Sequence, residues 1–268
     1  MSALGEVKTP KQRADQLLVA RGLAESRTRA QALILAGNVF AGERRVAKAG
    51  DLLAEDAALS VKGRDHPWVS RGGVKLSHGL AHFGFDVTGM IGLDVGSSTG
   101  GFTDVLLTRG AARVYAIDVG TNQLAWKLRS DDRVIVHEQT NARALTREIV
   151  PEAIDIVVCD ASFIGLSKVL DAALDLARPG AMLVALVKPQ FEAGRGEVGK
   201  GGVVRDAAVH QRVCDAAAAW VESKGWRVAG VEPSPITGPE GNVEFLLGAV
   251  RASGDTVPGI LCPADKGD

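Results

Sequence analysis

Two polar residues stand directly behind apolar runs that have the length and composition of buried strands. Asp160 follows the run 154–159, and Lys188 follows the run 182–187. Because the carboxyl ends of parallel strands meet at one edge of a sheet, the two side chains should face each other there. A lysine ammonium stabilises an alkoxide that develops beside it, and a lysine with a depressed pKa can take the proton itself. The pair therefore favours chemistry on a weakly acidic hydroxyl, such as a ribose 2′-hydroxyl.

A glycine-rich segment behind another apolar run, 90–95, predicts a binding function. The segment comprises Gly96, Ser97, Ser98, Thr99, Gly100, Gly101 and Phe102. Glycines at a strand-to-helix turn let a ligand approach the backbone closely. The next run ends in Asp118 and Val119, and an acid at this place can accept hydrogen bonds from both hydroxyls of a ribose. The segment and the acid together predict a site for a nucleoside-bearing cofactor.

The spacing of the glycines separates two kinds of cofactor. The dinucleotide fingerprint GxGxxG places glycine where the pyrophosphate touches the helix N-terminus. Here Ser98 replaces the second fingerprint glycine, and the spacing resembles motif I of the S-adenosylmethionine methyltransferases, whose ligand has no pyrophosphate. We therefore predict S-adenosylmethionine as the cofactor, with an NAD(P)-linked oxidoreductase of the same fold as an alternative. In addition to this segment, we predict that the cofactor contacts Asp94, Asp118, Val119, Asn141 and Asp160.

Three further candidate site residues do not directly follow an apolar run. Lys75 stands where the first helix of the large domain should begin, and Glu244 begins the last apolar run, 244–250. Their spacing alone does not distinguish these two residues from surface charges. Asn141 follows the apolar run 134–138, and this position places it near the adenine of the cofactor.

Alternating strands and helices must position these side chains. Apolar runs occur at 90–95, 113–119, 134–138, 154–159, 182–187, 227–231 and 244–250, and amphipathic helical stretches occur at roughly 101–109, 167–177 and 206–224. Such alternation is typical of a parallel sheet that carries helices on both faces. We predict an α/β fold in which this doubly wound sheet spans residues 70–250.

The first part of the chain follows a different pattern. Apolar positions at helical spacing predict a helix over 11–21, and Ser26 is a good N-cap for a second helix. Short β-branched stretches follow, so residues 10–62 predict a small α+β domain. Residues 63–69 contain glycine and proline, which interrupt regular structure and predict a linker.

Composition excludes several classes of protein. Hydrophobic residues make up 46% and charged residues 24% of the chain, which is typical of a globular protein. The sequence holds neither a run of about 18 apolar residues nor the core of a signal peptide, and we therefore expect a cytoplasmic protein with no membrane partner. The three cysteines lack the spacing of metal ligands, and no metal is expected.

Charge is distributed unevenly along the chain. Residues 1–75 carry 13 Lys or Arg against 8 Asp or Glu, whereas the remainder carries 18 against 24. Neutralisation of phosphates supplies most of the sequence-independent affinity for nucleic acid. The excess of positive charge in residues 1–75, in a chain that is otherwise acidic, therefore predicts that the first domain binds nucleic acid.

Five motifs occur in order along the large domain, and together they carry a family resemblance. They are Ser-Arg-Gly-Gly-x-Lys ending at Lys75, Asp-x-Gly-x-x-x-Gly-Gly-Phe-Thr beginning at Asp94, Asp-x-Ser-Phe-Ile beginning at Asp160, Val-Lys-Pro-Gln-Phe-Glu around Lys188, and Gly-Asn-x-Glu ending at Glu244. With these motifs the chain resembles the TlyA family of ribosomal RNA 2′-O-methyltransferases, which is related to the FtsJ heat-shock methyltransferases. The resemblance implies a Rossmann-like methyltransferase domain, cytidine as the modified nucleoside, and a catalytic tetrad of Lys75, Asp160, Lys188 and Glu244.

The first domain resembles the RNA-binding domain first seen in a protein of the small ribosomal subunit. The resemblance implies ribosomal RNA or ribosomal subunits as the partner. The predicted RNA contacts are Arg13, Arg27, Arg29 and, in the large domain, Arg71. Two alternatives stay open. One is a non-catalytic ribosome-assembly factor; the other is a membrane-active haemolysin, a name that family members often bear, although the sequence holds no strongly basic amphipathic helix.

Overall fold

The computed structural model describes residues 10–21, 23–24, 26–61, 66–238 and 241–253, and Cys262 lies outside these ranges. The chain divides into two compact units, Met1–Pro67 and Trp68–Asp268. The division falls within the segment that the sequence predicts as a linker.

The N-terminal unit combines two helices with two small antiparallel sheets. Its elements are β1 (Lys11–Arg13), α1 (Ala14–Ala20), α2 (Arg27–Leu35), β2 (Val39–Ala41), β3 (Arg44–Arg45), β4 (Leu52–Ala54) and β5 (Leu59–Val61). Strand β1 pairs with β4, and β2 lies between β3 and β5. Both helices and several strands contribute to one apolar core, which includes Leu17, Leu18, Ile34, Val39 and Leu53. This is the small α+β architecture that the sequence predicts.

The starts of the two helices differ in how well the sequence predicts them. The helix predicted over 11–21 begins only at Ala14, because the residues before it pair with β4 as a strand. Spacing within the helix carries no information about that pairing, since β4 lies about forty residues later in the chain. The N-cap at Ser26 is confirmed: its Oγ accepts a hydrogen bond from the backbone N of Arg29 at 3.2 Å.

The C-terminal unit is built on a seven-stranded sheet. Its helices are α3 (Gly72–Phe83), α4 (Gly101–Thr108), α5 (Trp126–Arg129), α6 (Leu166–Val169), α7 (Asp171–Leu176), α8 (Pro189–Glu192) and α9 (Ala207–Ser223). Its strands are β6 (Ile91–Val95), β7 (Arg113–Ile117), β8 (Val134–His137), β9 (Ile154–Cys159), β10 (Ala177–Val187), β11 (Trp226–Pro233) and β12 (Phe245–Arg251). The strand order is β11-β12-β10-β9-β6-β7-β8.

One strand corrects the prediction of a wholly parallel sheet. Strand β12 runs antiparallel to both of its neighbours, β10 and β11, whereas the other neighbouring strands pair in parallel. No α-helix lies between β11 and β12 in the described segments 234–238 and 241–244, and a connection without a crossover element brings the chain back as an antiparallel partner. The N-terminal end of β12 therefore lies beside the C-terminal end of β10, with Phe245 opposite Val187.

Helices cover both faces of the sheet, as the sequence predicts. Helices α3 and α4 bury Leu76, Leu80 and Leu106 against one face, and α7 and α9 bury Leu174 and Val213 against the other. In this doubly wound arrangement the carboxyl ends of β6, β7, β9 and β10 share one edge of the sheet. Among the helices that the structure describes, none is long and apolar enough to cross a lipid bilayer.

Candidate active site

A buried carboxylate fixes the glycine-rich segment from beneath. Asp94 lies in β6 and is fully buried, and its Oδ2 accepts hydrogen bonds from the backbone N of Thr103 at 2.9 Å and from Thr103 Oγ1 at 2.7 Å. Desolvation disfavours the charged form more than these bonds favour it, and this raises the pKa of Asp94 to about 7. Asp94 thus ties the end of β6 to the first turn of α4.

Close packing of the segment requires glycine at two positions. Gly96 has a φ of 79°, and a Cβ there would lie 3.0 Å from the Cα of Ala161. A Cβ on Gly101 would lie only 2.3 Å from Ser70 Oγ and 2.9 Å from the backbone N of Gly73. Neither position leaves room for a larger residue. At Gly96 the neighbouring atom belongs to the backbone, and at Gly101 the distance to Ser70 Oγ is shorter than real Cβ contacts. The segment is therefore held against the chain that follows β9 and against the start of α3.

Asp118 stands directly after β7 and organises the loop around it. Its Oδ2 accepts a hydrogen bond from the backbone N of Ser98 at 2.8 Å, and its Oδ1 accepts one from the backbone N of Gly120 at 2.7 Å. Each carboxylate oxygen has a second lone pair, which is free to accept a bond from a ligand hydroxyl. Ser98 itself has a φ of 46°, an uncommon conformation for a residue other than glycine.

Two adjoining cavities, each of about 440 Å³, lie at the carboxyl edge of the sheet. The Asp118 cavity is lined by residues that include Asp118, Val119, Gln123, Asn141 and Phe163. The Lys188 cavity is lined by residues that include Arg71, Lys75, Thr99, Phe102 and Lys188. The two cavities share the wall residues Gly96, Ser98, Asp160 and Ser162. They therefore form two halves of one site.

Lys188 and Asp160 form an ion pair on this site. Lys188 Nζ lies 2.7 Å from Asp160 Oδ1, and it donates hydrogen bonds to Ser162 Oγ at 2.9 Å and to the Asp160 carbonyl oxygen at 3.2 Å. The lysine side chain is nearly buried, whereas that of Asp160 is 22% exposed. Asp160 Oδ1 has no hydrogen-bond partner among the described residues, because the contact with Nζ is an ion pair without hydrogen-bond geometry. Oδ1 itself is buried, so the exposed part of the carboxylate consists of the other side-chain atoms.

Lys75 and Glu244 form a second, more deeply buried ion pair. Lys75 Nζ lies 2.5 Å from Glu244 Oε2, and both side chains are almost inaccessible to solvent. Glu244 Oε1 has no hydrogen-bond partner among the residues that the structure describes. This oxygen packs against Gly238, where a Cβ would lie 2.2 Å from it. Glu244 reaches the edge that carries Lys188 because β12 is reversed.

The structure brings most of the sequence-predicted site residues to the two cavities. Lining the Lys188 cavity are the predicted residues Arg71, Lys75, Gly96, Ser97, Ser98, Thr99, Gly101, Phe102, Asp160 and Lys188. Lining the Asp118 cavity are Asp118, Val119 and Asn141 together with shared wall residues. Of the predicted catalytic and cofactor-binding residues, Asp94, Gly100 and Glu244 line neither cavity. Asp94 and Glu244 lie behind the wall, while a Cβ on Gly100 would meet the side chains of Leu124 and Leu128 instead of open space.

Two residues that line the cavities, and one that precedes Glu244 by two positions, were not singled out from the sequence. Phe163 is 90% exposed at the rim of the Asp118 cavity and has a φ of 66°, a strained conformation of the kind that concentrates at functional sites. Ser162 accepts the hydrogen bond from Lys188. Asn242 is buried, accepts a hydrogen bond from Val204 N at 3.1 Å and donates one to Gly202 O at 3.0 Å. All three belong to motifs that carry the family resemblance, and membership of these motifs is the signal that could have identified them.

In the N-terminal unit, two of the predicted RNA-binding arginines contact a buried acid. Arg13 Nε lies 3.0 Å from Asp15 Oδ1, and Arg27 Nη2 lies 3.3 Å from Asp15 Oδ2, which also accepts a bond from Gln31 Nε2 at 3.1 Å. Asp15 is fully buried, whereas the arginine side chains are 43% and 56% exposed. Each guanidinium therefore has donors that face solvent, and Arg29 is exposed as well. Arg13 thus contacts a buried acid and also faces solvent.

The buried Asp15 gives the first testable expectation. Asp15→Asn should destabilise the N-terminal unit by about 2 kcal/mol, because hydrogen bonds to a charged acceptor are lost. Hydrogen exchange in the full chain measures this as reduced amide protection over residues 10–61, with exposed Asp56→Asn as the control. Contact with Arg13, supported by Gln31 and Arg27, holds the pKa of Asp15 well below its ordinary value. The difference between wild type and variant should therefore be full above about pH 4 and shrink as the pH falls further. Equal protection at neutral pH would contradict this role.

Two family models match the chain, one in each unit. The model of the FtsJ-like methyltransferases matches residues 68–251, and the model of the S4 domain matches residues 12–58. The S4 match covers most of the described N-terminal unit, and the methyltransferase match covers the whole seven-stranded sheet.

Similar proteins span both units. The 16S/23S rRNA (cytidine-2′-O)-methyltransferase TlyA of Mycobacterium tuberculosis is 49% identical over 236 residues, which cover 88% of this chain and 88% of that protein. Hemolysin A of Brachyspira hyodysenteriae is 39% identical over 235 residues, covering 87% and 98%. A solved structure from Streptococcus thermophilus that bears a hemolysin name has a TM-score of 0.71 and 43% identity, covering 91% and 90%. The chain therefore belongs to the FtsJ-like methyltransferases, and within them to the TlyA group that carries an S4 domain at its N-terminus.

Proposed function

We propose that the protein transfers a methyl group from S-adenosylmethionine to the 2′-hydroxyl of a cytidine in ribosomal RNA. The observation that carries the proposal is the Lys188–Asp160 ion pair on the wall shared by the two cavities. One cavity has an acid suited to a ribose, and the other has two lysines suited to an oxygen nucleophile. The relatives named for rRNA (cytidine-2′-O)-methyl transfer supply the class of RNA and the nucleoside.

The Asp118 cavity fits the cofactor. Its volume of about 440 Å³ lies in the range of small-molecule sites. Asp118 would hold the ribose through its free lone pairs, and Asn141 lies on the same wall for the adenine. The segment from Gly96 would hold the amino-acid end, where it passes into the Lys188 cavity. When bound there, the cofactor would supply a methyl group that is electrophilic because it is attached to a positively charged sulfur.

Lys188 and Asp160 have distinct tasks in the proposed reaction. As an ammonium, Lys188 has three N–H donors and no acceptor, so it cannot take a proton. Its bond to Ser162 Oγ is a bond to a neutral acceptor, and a substrate hydroxyl can replace that acceptor at little cost. The positive charge then stabilises the oxygen as it loses its proton. The carboxylate of Asp160 lies on the shared wall with its side chain 22% exposed, and in the proposed mechanism it accepts that proton.

Lys75 is a second cation on the wall of the Lys188 cavity. Its partner Glu244 lies behind the wall. Glu244 therefore holds the ammonium in place but does not contact the substrate. A lysine fixed by a buried carboxylate loses little rotamer freedom when a substrate binds. In the proposed mechanism Lys75 orients the ribose, and Glu244 positions Lys75.

The decisive experiment is methylation with a tritiated cofactor. Ribosomal RNA and isolated ribosomal subunits are incubated with wild-type protein, and the labelled positions are mapped for 2′-O-methylation. We expect label on the ribose of cytidine, and Lys188→Ala serves as the matched inactive control. Label on a base alone would exclude ribose chemistry. RNA binding without any label would favour the non-catalytic assembly factor.

A change at Asp118 tests the cofactor site separately. Asp118→Ala should weaken S-adenosylmethionine binding by about 10- to 100-fold, because hydrogen bonds to a charged acceptor contribute about 1.5–3 kcal/mol. Calorimetric titration of the full chain measures the affinity, and exposed Asp132→Ala is the control. The same titration with NAD should show no binding. Tighter binding of NAD than of S-adenosylmethionine would favour the oxidoreductase instead.

A further inference from the structure

A group of side chains with metal-ligand chemistry lies outside both cavities, between α3 and β11. His78 and His82 stand one turn apart in α3, and Glu232 lies in β11. We infer that these three side chains bind one Zn²⁺ ion. The ion would serve the stability of the C-terminal unit and take no part in methyl transfer.

The distances between the ligand atoms suit a metal ion. His78 Nε2 lies 3.4 Å from Glu232 Oε1, His82 Nε2 lies 3.8 Å from Glu232 Oε2, and each residue offers a ligand atom within 4.8 Å of the other two. Bonds of about 2.1 Å in a tetrahedral zinc site place neighbouring ligand atoms about 3.4 Å apart. Small side-chain rotations are therefore enough to close the three atoms around an ion.

Helix α3 holds the two imidazoles in positions suited to chelation without a bound ion. Residues four apart lie on one face of a helix, and the two rings are stacked with centroids 6.0 Å apart and planes inclined by 29°. The side chains of His78, His82 and Glu232 are 36%, 43% and 30% exposed. Solvent can therefore deliver the ion and complete its coordination with water.

The donor set selects the class of metal. Two imidazoles and one carboxylate suit zinc and its transition-metal neighbours, whereas Mg²⁺ and Ca²⁺ prefer shells made of oxygen. The histidines lie about 150 residues from Glu232 along the chain, so the spacing of the cysteines, on which the expectation of no metal rests, carries no signal for this group.

A bound ion would join the outermost strand of the sheet to a helix. Strand β11 is at the end of the strand order, and the strand beside it is β12. Helix α3 carries Lys75 in its first turn, one turn before His78. An ion that binds only the folded chain stabilises it by an amount that grows with the logarithm of the ratio of free ion concentration to Kd. Zinc should therefore raise the melting temperature of the C-terminal unit.

The test uses the full chain without a polyhistidine tag, stripped of metal with a chelator and kept reduced. Titration with ZnCl₂ should show one site per chain and an increase in melting temperature, and MgCl₂ should show neither. His82→Ala should weaken zinc binding by at least about 100-fold, the upper end of the loss from removing an outer-shell partner. Glu232→Gln should also weaken it, whereas Glu222→Gln, an exposed glutamate on α9, should not. Circular dichroism verifies that each variant is folded.

Cobalt substitution distinguishes this site from zinc held by cysteine. With Co²⁺ in place of zinc, we expect visible bands of nitrogen and oxygen ligation and no thiolate charge-transfer band. Zinc affinity that is equal in wild type and His82→Ala would overturn the proposal and leave the three residues as simple His–Glu pairs. A thiolate band that persists in His82→Ala would overturn it as well.

Discussion

Lys188→Ala is expected to lower kcat for methyl transfer by about 10³-fold, which is the scale of removing a proton-transfer partner or an oxyanion stabiliser. The ammonium is the charge nearest to Asp160, and the proposed mechanism gives it the task of stabilising the oxygen nucleophile. No other cation contacts the Asp160 carboxylate among the described residues. The rate is measured under saturating cofactor and RNA, so that binding does not contribute to the change.

The control for this expectation is the binding of the cofactor. Lys188→Ala should change the affinity for S-adenosylmethionine by less than about fivefold, since less than about 1 kcal/mol is expected from a side chain that does not line the Asp118 cavity. Asp160 is partly exposed, so the loss of its partner does not strand a fully buried charge, and the fold should persist. A folded Lys188→Ala that retains wild-type kcat would exclude the proposed role. Lys188→Arg keeps the charge but cannot keep the geometry, and we expect it to recover only part of the rate.

The sequence predicts one part of this site well because that part is local in the chain. Asp118, Asp160 and Lys188 each stand at the end of a strand that the apolar pattern marks clearly. The edge they share follows from the rule for parallel sheets, without knowledge of any contact. The glycine-rich segment is local too, and its departure from the dinucleotide fingerprint lies within seven residues.

Lys75 and Glu244 could not be predicted in the same way. In a wholly parallel sheet the start of the last strand would lie at the opposite edge from Lys188, so Glu244 would be far from the site. Only the reversal of β12 brings it to Lys75, and that reversal depends on a connection whose geometry the apolar pattern does not encode. The resemblance to a family supplied both residues where spacing could not. The same limit applies to Asp15, whose burial depends on partners from another helix.

Breaking the buried pair from one side should have the largest effect on stability. Lys75→Met leaves the Glu244 carboxylate buried without a partner, and loss of one partner of a buried pair costs about 3–5 kcal/mol. For a unit of this size that corresponds to a fall of roughly 10 °C in melting temperature. Glu244→Gln should also destabilise the unit, because it removes the charge that neutralises Lys75. Thermal unfolding monitored by circular dichroism measures both changes, and exposed Lys200→Met is the control.

The double variant Lys75→Met/Glu244→Gln separates the contribution of the pair to folding from its contribution to catalysis. Glutamine keeps the shape of glutamate beside Gly238, where the chain leaves no room, and the pair of neutral side chains strands no charge. The double variant should therefore be more stable than Lys75→Met alone, with a coupling of about 2–3 kcal/mol between the two sites. It should still lack most of the methyl-transfer activity, because the second cation of the Lys188 cavity is gone. Recovery of activity along with stability would mean that Lys75 and Glu244 support only the fold, and the tetrad would then reduce to Lys188 and Asp160.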